Sequence, residues 1–278
     1  MAHFNSPVVI PGVIPGMILV ATFIGLATIT EVATAAEQYS VPQDYTAVYK
    51  VLRNEKELAA VTISLSHQQD VWTLHGYSHD TRGFAEFLRI KGTQTTTGKW
   101  HDGRFRPDNY ELSFSLIGFK TNWQALFDWQ TGIVETTGKQ GKSRLPMESN
   151  ANDPFSLSLN LRYQLAKNLS APPVSSPGDG VIDIKVVDED EIENHQYRFD
   201  PQGRTNTGLG CLDTTLVRRV RENRKRLSLG WYAQDHQFIP VRMQHKSKKG
   251  TNLELLIVSL EIDGTEIQPT APCPSIAG

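Results

Sequence analysis

Two histidines and an aspartate lie close enough together in the sequence to suggest a metal-binding site. His75, His79 and Asp80 lie directly after the run 71–74, whose residue types favour a β-strand. On a strand, residues four apart point to the same side but lie about 13 Å from each other, which is too far for one ion. The sequence therefore predicts two exposed or hydrogen-bonded histidines and no metal site.

Catalytic motifs give no stronger signal. The chain has no Gly-x-Ser-x-Gly motif, and Cys211 follows Gly210 in a strand-like run without a histidine nearby in sequence. The acidic run 188–191 lies between two strand patterns, where a solvated hairpin tip is commoner than a paired acid and base. We therefore expect a protein that is not an enzyme and needs no cofactor. A hydrolase whose site is assembled from residues distant in sequence is the second alternative.

The strongest charge feature is a cluster of arginines. In strand register, Arg219 and Arg221 would share a solvated outer face, whereas Arg218 would point to the apolar side. Cross-strand ion pairs are one interpretation of that face. The other is a patch made of Arg219, Arg221 and Arg224 that binds an anionic lipid or an acidic partner.

Large aromatic residues form the feature most relevant to ligand binding. Trp123, Phe127 and Trp129 fall on one face at strand periodicity, and Trp231 joins them from a later strand. Packing in an ordinary β core would explain them, because large aromatics dominate such cores. In an open barrel, the same four side chains would line an apolar cavity for an acyl chain or a similar ligand.

The chain contains two cysteines, Cys211 and Cys273. In an oxidising compartment a lone pair of cysteines can form a disulfide, although two separate thiols remain the alternative.

The elements that must position these residues are mostly strands. Hydrophobic residues alternate with polar ones after residue 40, and turn residues separate the runs at hairpin spacing, which predicts antiparallel meanders. One segment differs, because Asp153 and Pro154 could begin a helix that continues to about Lys167 with leucines at helical spacing. A stretch rich in proline and serine, 171–180, then connects two β halves.

The N-terminal segment predicts export. Residues 7–30 carry no charge, and Ala33-Thr34-Ala35 suits signal peptidase, so we expect residues 1–35 to be a signal peptide of a periplasmic protein. An uncleaved inner-membrane anchor, with membrane association through residues 7–30, is the alternative. Residues 36–265 then form a single β-rich domain and 266–278 a flexible tail. The net charge of −2 gives no reason to expect a nucleic acid as partner.

Three groups of motifs occur in a familiar order. They are 49–53 with 103–107 and Phe127-Asp128-Trp129; Leu145-Pro146 with 153–156 and Leu161-Arg162; and Leu209-Gly210 with Trp231-Tyr232-Ala233 and 239–242. From about residue 40 to 262, this set resembles the bacterial exported family called domain of unknown function 3108. The resemblance implies no catalytic residue. That family is similar in outline to periplasmic lipoprotein carriers, which implies an incomplete barrel around helical plugs.

Together these observations predict a mainly β fold, an antiparallel curved sheet or incomplete β-barrel of two meanders wrapped around one long α-helix. The leading hypothesis is a non-enzymatic periplasmic protein that binds a hydrophobic envelope component, a lipid or an acylated molecule. The alternative is a cell-envelope interaction or scaffold protein that binds another protein through the arginine-rich strand or a sheet edge.

Overall fold

The computed structural model describes residues 41–83, 86, 89, 91–170, 181–221 and 226–274. The predicted signal segment, the 171–180 connection and Arg224 lie outside these residues. Within them, no helix is both long and apolar enough to span a bilayer.

Two meanders flank one helix. The first comprises β1 (Tyr45–Arg53), β2 (Lys56–Gln68), β3 (Val71–His79), β4 (Lys91–His101), β5 (Arg104–Leu116), β6 (Phe119–Asp128), β7 (Ile133–Gly138) and β8 (Gly141–Pro146). The short strand β9 (Ala151–Asn152) and the helix α1 (Ser156–Ser170) follow. The second comprises β10 (Val181–Asp188), β11 (Glu191–Thr207), β12 (Gly210–Val220), β13 (Leu227–Ala233), β14 (Ile239–Lys246) and β15 (Asn252–Ile262), with a 3₁₀ turn at Gln234–His236 and a last strand β16 (Thr265–Glu266).

All strands belong to one curved, open sheet. Its order is β8-β7-β6-β5-β4-β3-β2-β1-β15-β14-β13-β12-β11-β10-β9, with β16 paired to β15. Every pair along this order is antiparallel except β9 and β10, and the pairing of β1 with β15 joins the two meanders. The two edges, β8 and β9, are not hydrogen-bonded to each other. The predicted fold class is therefore confirmed.

The helix lies on the concave side of this sheet. Asn160 of α1 is hydrogen-bonded to the backbone of β5, and Leu161 and Leu165 pack against Ile184 of β10. Nine strands separate β5 from β10 in the sheet order. A flat sheet would place them about 48 Å apart, so one helix can contact both only because the sheet curls around it.

Two contacts fix the helix against β5 and β4. The Asn160 side chain accepts a hydrogen bond from Phe105 N at 2.9 Å and donates one to Phe105 O at 2.8 Å, as a neighbouring strand would. Further along, the rings of Tyr163 and Trp100 meet edge to face with centroids 5.0 Å apart. Trp100 lies near the end of β4, so α1 fills the half of the barrel that is closest to the β4–β5 turn.

The start of the helix depends on a buried carboxylate. Asp153 Oδ1 accepts hydrogen bonds from Phe155 N at 2.8 Å, Ser156 N at 2.9 Å and Thr96 Oγ1 at 2.9 Å. The predicted cap is thus present, although regular helix begins at Ser156 because Pro154 and Phe155 form a turn. Burial raises the pKa of the Asp153 carboxyl, against the effect of these hydrogen bonds.

We predict that the substitution Asp153→Asn raises stability relative to the wild type as the pH increases. Because the pKa of Asp153 is raised in the folded protein, its stabilising contribution is complete below the unfolded value of about 3.9 and is lost as the pH rises through the folded value. Asparagine does not ionise and keeps an oxygen that can accept the capping bonds. Urea unfolding, followed by tryptophan fluorescence between about pH 4 and pH 7, measures this trend.

Two further variants make the test specific. Asp153→Ala removes both the ionisable group and the cap, so it should follow the pH trend of Asp153→Asn but lie about 1–2 kcal/mol below it in stability at every pH in this range. Asp183→Asn should show no such rise over this range, because hydrogen bonds from Gln196 and Asn194 lower the pKa of the exposed Asp183 carboxyl, whose contribution is complete above the unfolded value and is lost only as the pH falls below it. Identical pH profiles for Asp153→Asn and the wild type would contradict the prediction.

A disulfide holds the C-terminal segment to the sheet. Cys211 at the start of β12 is bonded to Cys273, 62 residues later, so the disulfide alternative is confirmed. Thr270 N donates to Leu209 O at 2.8 Å, and Cys211 N donates to Ala271 O at 3.0 Å. The sequence predicted a flexible tail from residue 266, whereas the structure places residues 270–273 in hydrogen bonds to the β11–β12 turn.

We predict that the double substitution Cys211→Ser/Cys273→Ser lowers the free energy of unfolding by about 4 kcal/mol, the loop-closure entropy of a cross-link of this span. Urea unfolding of both proteins, with and without a reducing agent, measures the difference. The reducing agent should destabilise the wild type alone; an equal effect on both proteins would contradict the assignment.

Candidate functional site

Alternate turns of the meanders meet at one end of the barrel. The β1–β2 turn contacts the β14–β15 turn through Asn54 N to Asn252 O at 2.9 Å and Asn252 N to Asn54 Oδ1 at 3.0 Å. Because neighbouring strands are antiparallel, the β5–β6 turn and the β12 terminus at Val220 lie at the same end. We call this end, made of turns 54–55, 117–118 and 247–251 with Val220 and Leu227, the cavity end.

Two mostly apolar cavities lie inside the cavity end, each of about 330 Å³. The first cavity lies over strands of the first meander and is lined by Val51, Leu58, Ala59, Val61, Ile63, Gly76, Tyr77, Ser78, Gly92, Thr93, Gln94, Leu112, Phe114, Phe155 and Leu255. The second cavity lies over the second meander and is lined by Tyr197, Val217, Arg219, Ser228, Leu229, Gly230, Tyr232, Met243, Gln244, His245, Leu253 and Leu255.

Leu255 lines both cavities. It lies in β15, the strand that joins the two meanders, opposite Val51 of β1 and Met243 of β14. Phe155, directly before α1, bounds the first cavity, and a Cβ atom on Gly76 would come within 3.1 Å of its ring. The cavities therefore adjoin at Leu255, above the part of the barrel that the helix fills.

Apart from Arg219, none of these lining residues was a site candidate from the sequence pattern. The cavities form where small residues face inwards, among them Ala59, Gly76 and Gly230. Small residues at alternate strand positions, opposite large apolar ones, were the available signal. A pattern of this kind indicates space that side chains leave unfilled, whereas large aromatic residues indicate space that is filled.

The second cavity has a polar rim of cationic side chains. Arg219 Nη2 donates to Glu193 Oε2 at 2.9 Å, and Arg221 Nη1 donates to Ser228 Oγ at 2.8 Å. Burial, followed by repulsion from Arg219, lowers the pKa of Arg221. Burial also lowers the pKa of His245, with Arg221 adding to the effect. At neutral pH the rim therefore carries two guanidinium charges beside a neutral imidazole.

The arginine-rich strand is oriented opposite to the sequence prediction. Arg219 lies on the same face of β12 as Val217, which packs against α1, whereas Arg218 is exposed on the other face. The predicted solvated outer face for Arg219 and Arg221 is therefore wrong. Both faces of β12 are buried from Thr214 to Val217, so hydrophobic alternation does not identify the inward side here.

Trp123 and Phe127 of β6, with Trp129 directly after it, lie in the packed core and near the opposite end. Trp123 is buried and meets Tyr110 edge to face at 4.6 Å between centroids. Phe127 and Trp129 stack at 5.9 Å, and the Arg106 guanidinium lies 4.3 Å from the centre of the Trp129 ring. None of the three lines either apolar cavity.

Trp231 is not brought together with these three residues. Arg242 lies 4.8 Å from the centre of its ring. Its neighbour Tyr232 lines the second cavity, whereas Trp231 does not. The four predicted pocket residues therefore do not form one site.

A buried cation lies where the helix meets β1. Arg162 Nε donates to Gln237 O at 3.1 Å, and the guanidinium lies 4.8 Å from the centre of the Tyr45 ring. Its two terminal nitrogens have no hydrogen-bond partner among the described residues. Burial lowers the pKa of Arg162 and raises that of Tyr45, so this contact places a guanidinium beside a neutral phenol.

The histidines considered for metal binding have other partners. His75 Nδ1 is 2.8 Å from Thr95 Oγ1, and His79 Nε2 is 2.9 Å from Thr62 Oγ1. Across the described ranges, no group of three or more His, Cys, Asp or Glu residues is arranged to hold a metal ion.

Two solved structures share features with this chain. A β-barrel-like protein of the domain of unknown function DUF1849 from Brucella abortus is 10% identical, covers 80% of this chain and 99% of its own, and gives a TM-score of 0.50. A putative outer membrane lipoprotein-sorting protein domain from Vibrio parahaemolyticus is 12% identical over 80% and 86%, with a TM-score of 0.20. The first supports the β-barrel-like fold.

No curated protein matches this sequence. A family model does match, over residues 44–258, and its description is protein of unknown function, DUF3108. This confirms what the ordered motifs predicted: the chain belongs to the DUF3108 family.

Proposed function

We propose that this protein is a non-enzymatic carrier or binder of a hydrophobic component of the cell envelope, a lipid or an acylated molecule. The observation that carries the proposal is the pair of apolar cavities that adjoin at Leu255. Each has a volume at the lower limit of the range of about 300–1,000 Å³ that is typical of ligand pockets.

The shape and lining of the cavities favour an acyl chain. A flexible chain can extend from one cavity past Leu255 into the other, whereas a rigid ligand would need one larger space. Each methylene group that leaves water contributes about 0.8 kcal/mol to binding. The polar rim of Arg219 and Arg221 lies beside the second cavity, where a polar head group would remain in contact with water.

The disulfide supports an extracytoplasmic location. Disulfides persist in oxidising compartments such as the bacterial periplasm. Together with the predicted signal segment, the bond between Cys211 and Cys273 favours a periplasmic protein, and hence a ligand from the envelope.

The binding test uses the position that both cavities share. Leu255→Trp places a larger side chain where the cavities adjoin, and the loss of two or three bound methylenes should weaken lipid binding about tenfold or more. Native mass spectrometry of protein purified without detergent, followed by titration with a fluorescent fatty acid, measures the effect. Leu256→Trp, on the opposite face of β15, is the matched control and should bind as the wild type does. Absence of bound lipid from the wild type would refute the proposal.

One contact favours the hydrolase alternative. Ser228 Oγ lies 3.0 Å from His245 Nδ1 at the edge of the second cavity, on paired strands. Three features oppose a catalytic role. Burial and Arg221 lower the pKa of His245, which weakens it as a base. Among the described residues no carboxylate is bonded to His245, and the thiol of Cys211 is consumed in the disulfide.

We therefore predict that Ser228→Ala does not change the rate at which the protein releases nitrophenol from an acyl nitrophenyl ester. The background rate of ester hydrolysis in buffer is the reference. A rate well above that background which disappears in Ser228→Ala would favour a hydrolase instead.

A further inference from the structure

Exposed apolar side chains concentrate at the cavity end. The large exposed hydrophobic residues of the described chain are Tyr77, Ile117, Phe119, Leu126, Val220 and Leu253. Ile117 and Phe119 flank the tip of the β5–β6 turn, Val220 ends β12, and Leu253 lies next to the β14–β15 turn. Tyr77 lies near the end of β3. Ile117, Phe119 and Leu253 therefore lie at the openings of the cavities, whereas Tyr77 and Val220 lie at the same end on the outer face of the sheet.

Basic residues surround the same openings. In the described stretches 53–57, 218–221, 226–228 and 246–254, the exposed cations are Arg53, Lys56, Arg218, Arg226, Lys246, Lys248 and Lys249. The one exposed carboxylate in these stretches is Glu55. Glu57 and Glu254 are half-buried and paired with Lys50 and Arg242. The whole chain has a net charge of −2, so this positive charge is a local excess.

The opposite end carries charge of the other sign. Exposed aspartates lie at four of its turns or directly before them: Asp70, Asp102, Asp128 and Asp263. Asp70 is paired with Lys99, but Asp128 accepts hydrogen bonds from the backbone of its own turn. The β10–β11 turn, with the exposed acids Asp188, Asp190 and Glu191, also lies at the cavity end. The exposed cations of that end outnumber its exposed acids, so an anionic surface would attract the cavity end more strongly than the opposite end.

We propose that the cavity end docks on the surface of an anionic lipid bilayer, so that both cavities open onto the lipid. The proposal deepens the proposed function and rests on it for its purpose, although docking itself requires the surface residues alone. Basic side chains would lie over lipid phosphates, and the apolar side chains at separate hairpin tips would enter the interface between head groups. A protein partner usually buries one contiguous apolar patch, which these separate tips do not form.

The test measures local hydrogen exchange of the full chain by mass spectrometry. With phosphatidylcholine vesicles that contain phosphatidylglycerol, amides of the turns 117–118 and 247–251 should become protected, while the turns beside Asp102 and Asp128 should not. Pure phosphatidylcholine vesicles should give no protection at either end. Because the measurement is local, binding by the predicted signal segment does not contribute to it.

A charge-neutralising pair identifies the residues responsible. In Lys248→Gln/Lys249→Gln, the concentration of anionic lipid needed for half-maximal protection should rise about thirtyfold. Each basic residue near such a surface raises the affinity about fivefold, and the variant removes two of them. The control Arg104→Gln/Arg204→Gln removes the same charge from exposed side chains at the opposite end, at the start of β5 and near the end of β11. This control should dock as the wild type does.

Three results would overturn the proposal. They are equal protection by neutral and anionic vesicles, no protection of the cavity end by either, or protection by soluble polyglutamate without protection by vesicles, which would indicate an acidic protein partner. Leu255→Trp separates docking from ligand binding, because it should lose the bound fatty acid and still dock. A wild type that binds fatty acid but leaves these turns unprotected would refute docking alone.

Discussion

One helix has to fill the concave side of a sixteen-stranded sheet, and it is too short to do so. The fifteen residues of α1 span about 22 Å, whereas a strand of thirteen residues such as β2 spans about 43 Å. The helix is fixed by Asn160 to the start of β5, so it fills the half of the barrel near the β4–β5 turn. The unfilled half becomes the cavity end, and its apolar lining is a direct result of this mismatch.

Polar groups on and before the helix determine which half is filled. Asp153, Asn160 and Arg162 are all buried, and each has specific partners on strands or turns of the sheet. Moving the helix along the barrel would leave these groups unpaired in an apolar interior, at a cost of about 1–3 kcal/mol for each neutral group and more for a charged one. The filled end is thus specified by hydrogen bonds, and the cavity end lies where no such groups project inwards from the helix.

Sequence reasoning reached the fold because its signals are local. Alternation predicted the strands, Asp153 and Pro154 predicted the helix start, and ordered motifs identified the family. The position of empty space is not a local property, since it depends on which side chains from distant strands fail to meet. Trp123 and Phe127 were predicted to line a cavity because of their size, yet large rings fill the space they face. Arg219 was placed on the wrong side because β12 is covered on both faces, which removes the alternation that would have oriented it.

The two free edges of the sheet belong to consecutive strands, β8 and β9, which are connected by residues 147–150. Strand pairing therefore does not close the barrel at this seam, which is bridged instead by contacts such as the hydrogen bond from Thr136 Oγ1 of β7 to Glu189 O of the β10–β11 turn. The helix follows β9 directly, but Asn160 bonds it to β5 and Asp153, just before it, is bonded to Thr96 of β4, so the helix contacts both sides of this seam. The contacts of the helix and turns thus set the circumference of this barrel, whereas in a fully closed barrel the strand number sets it.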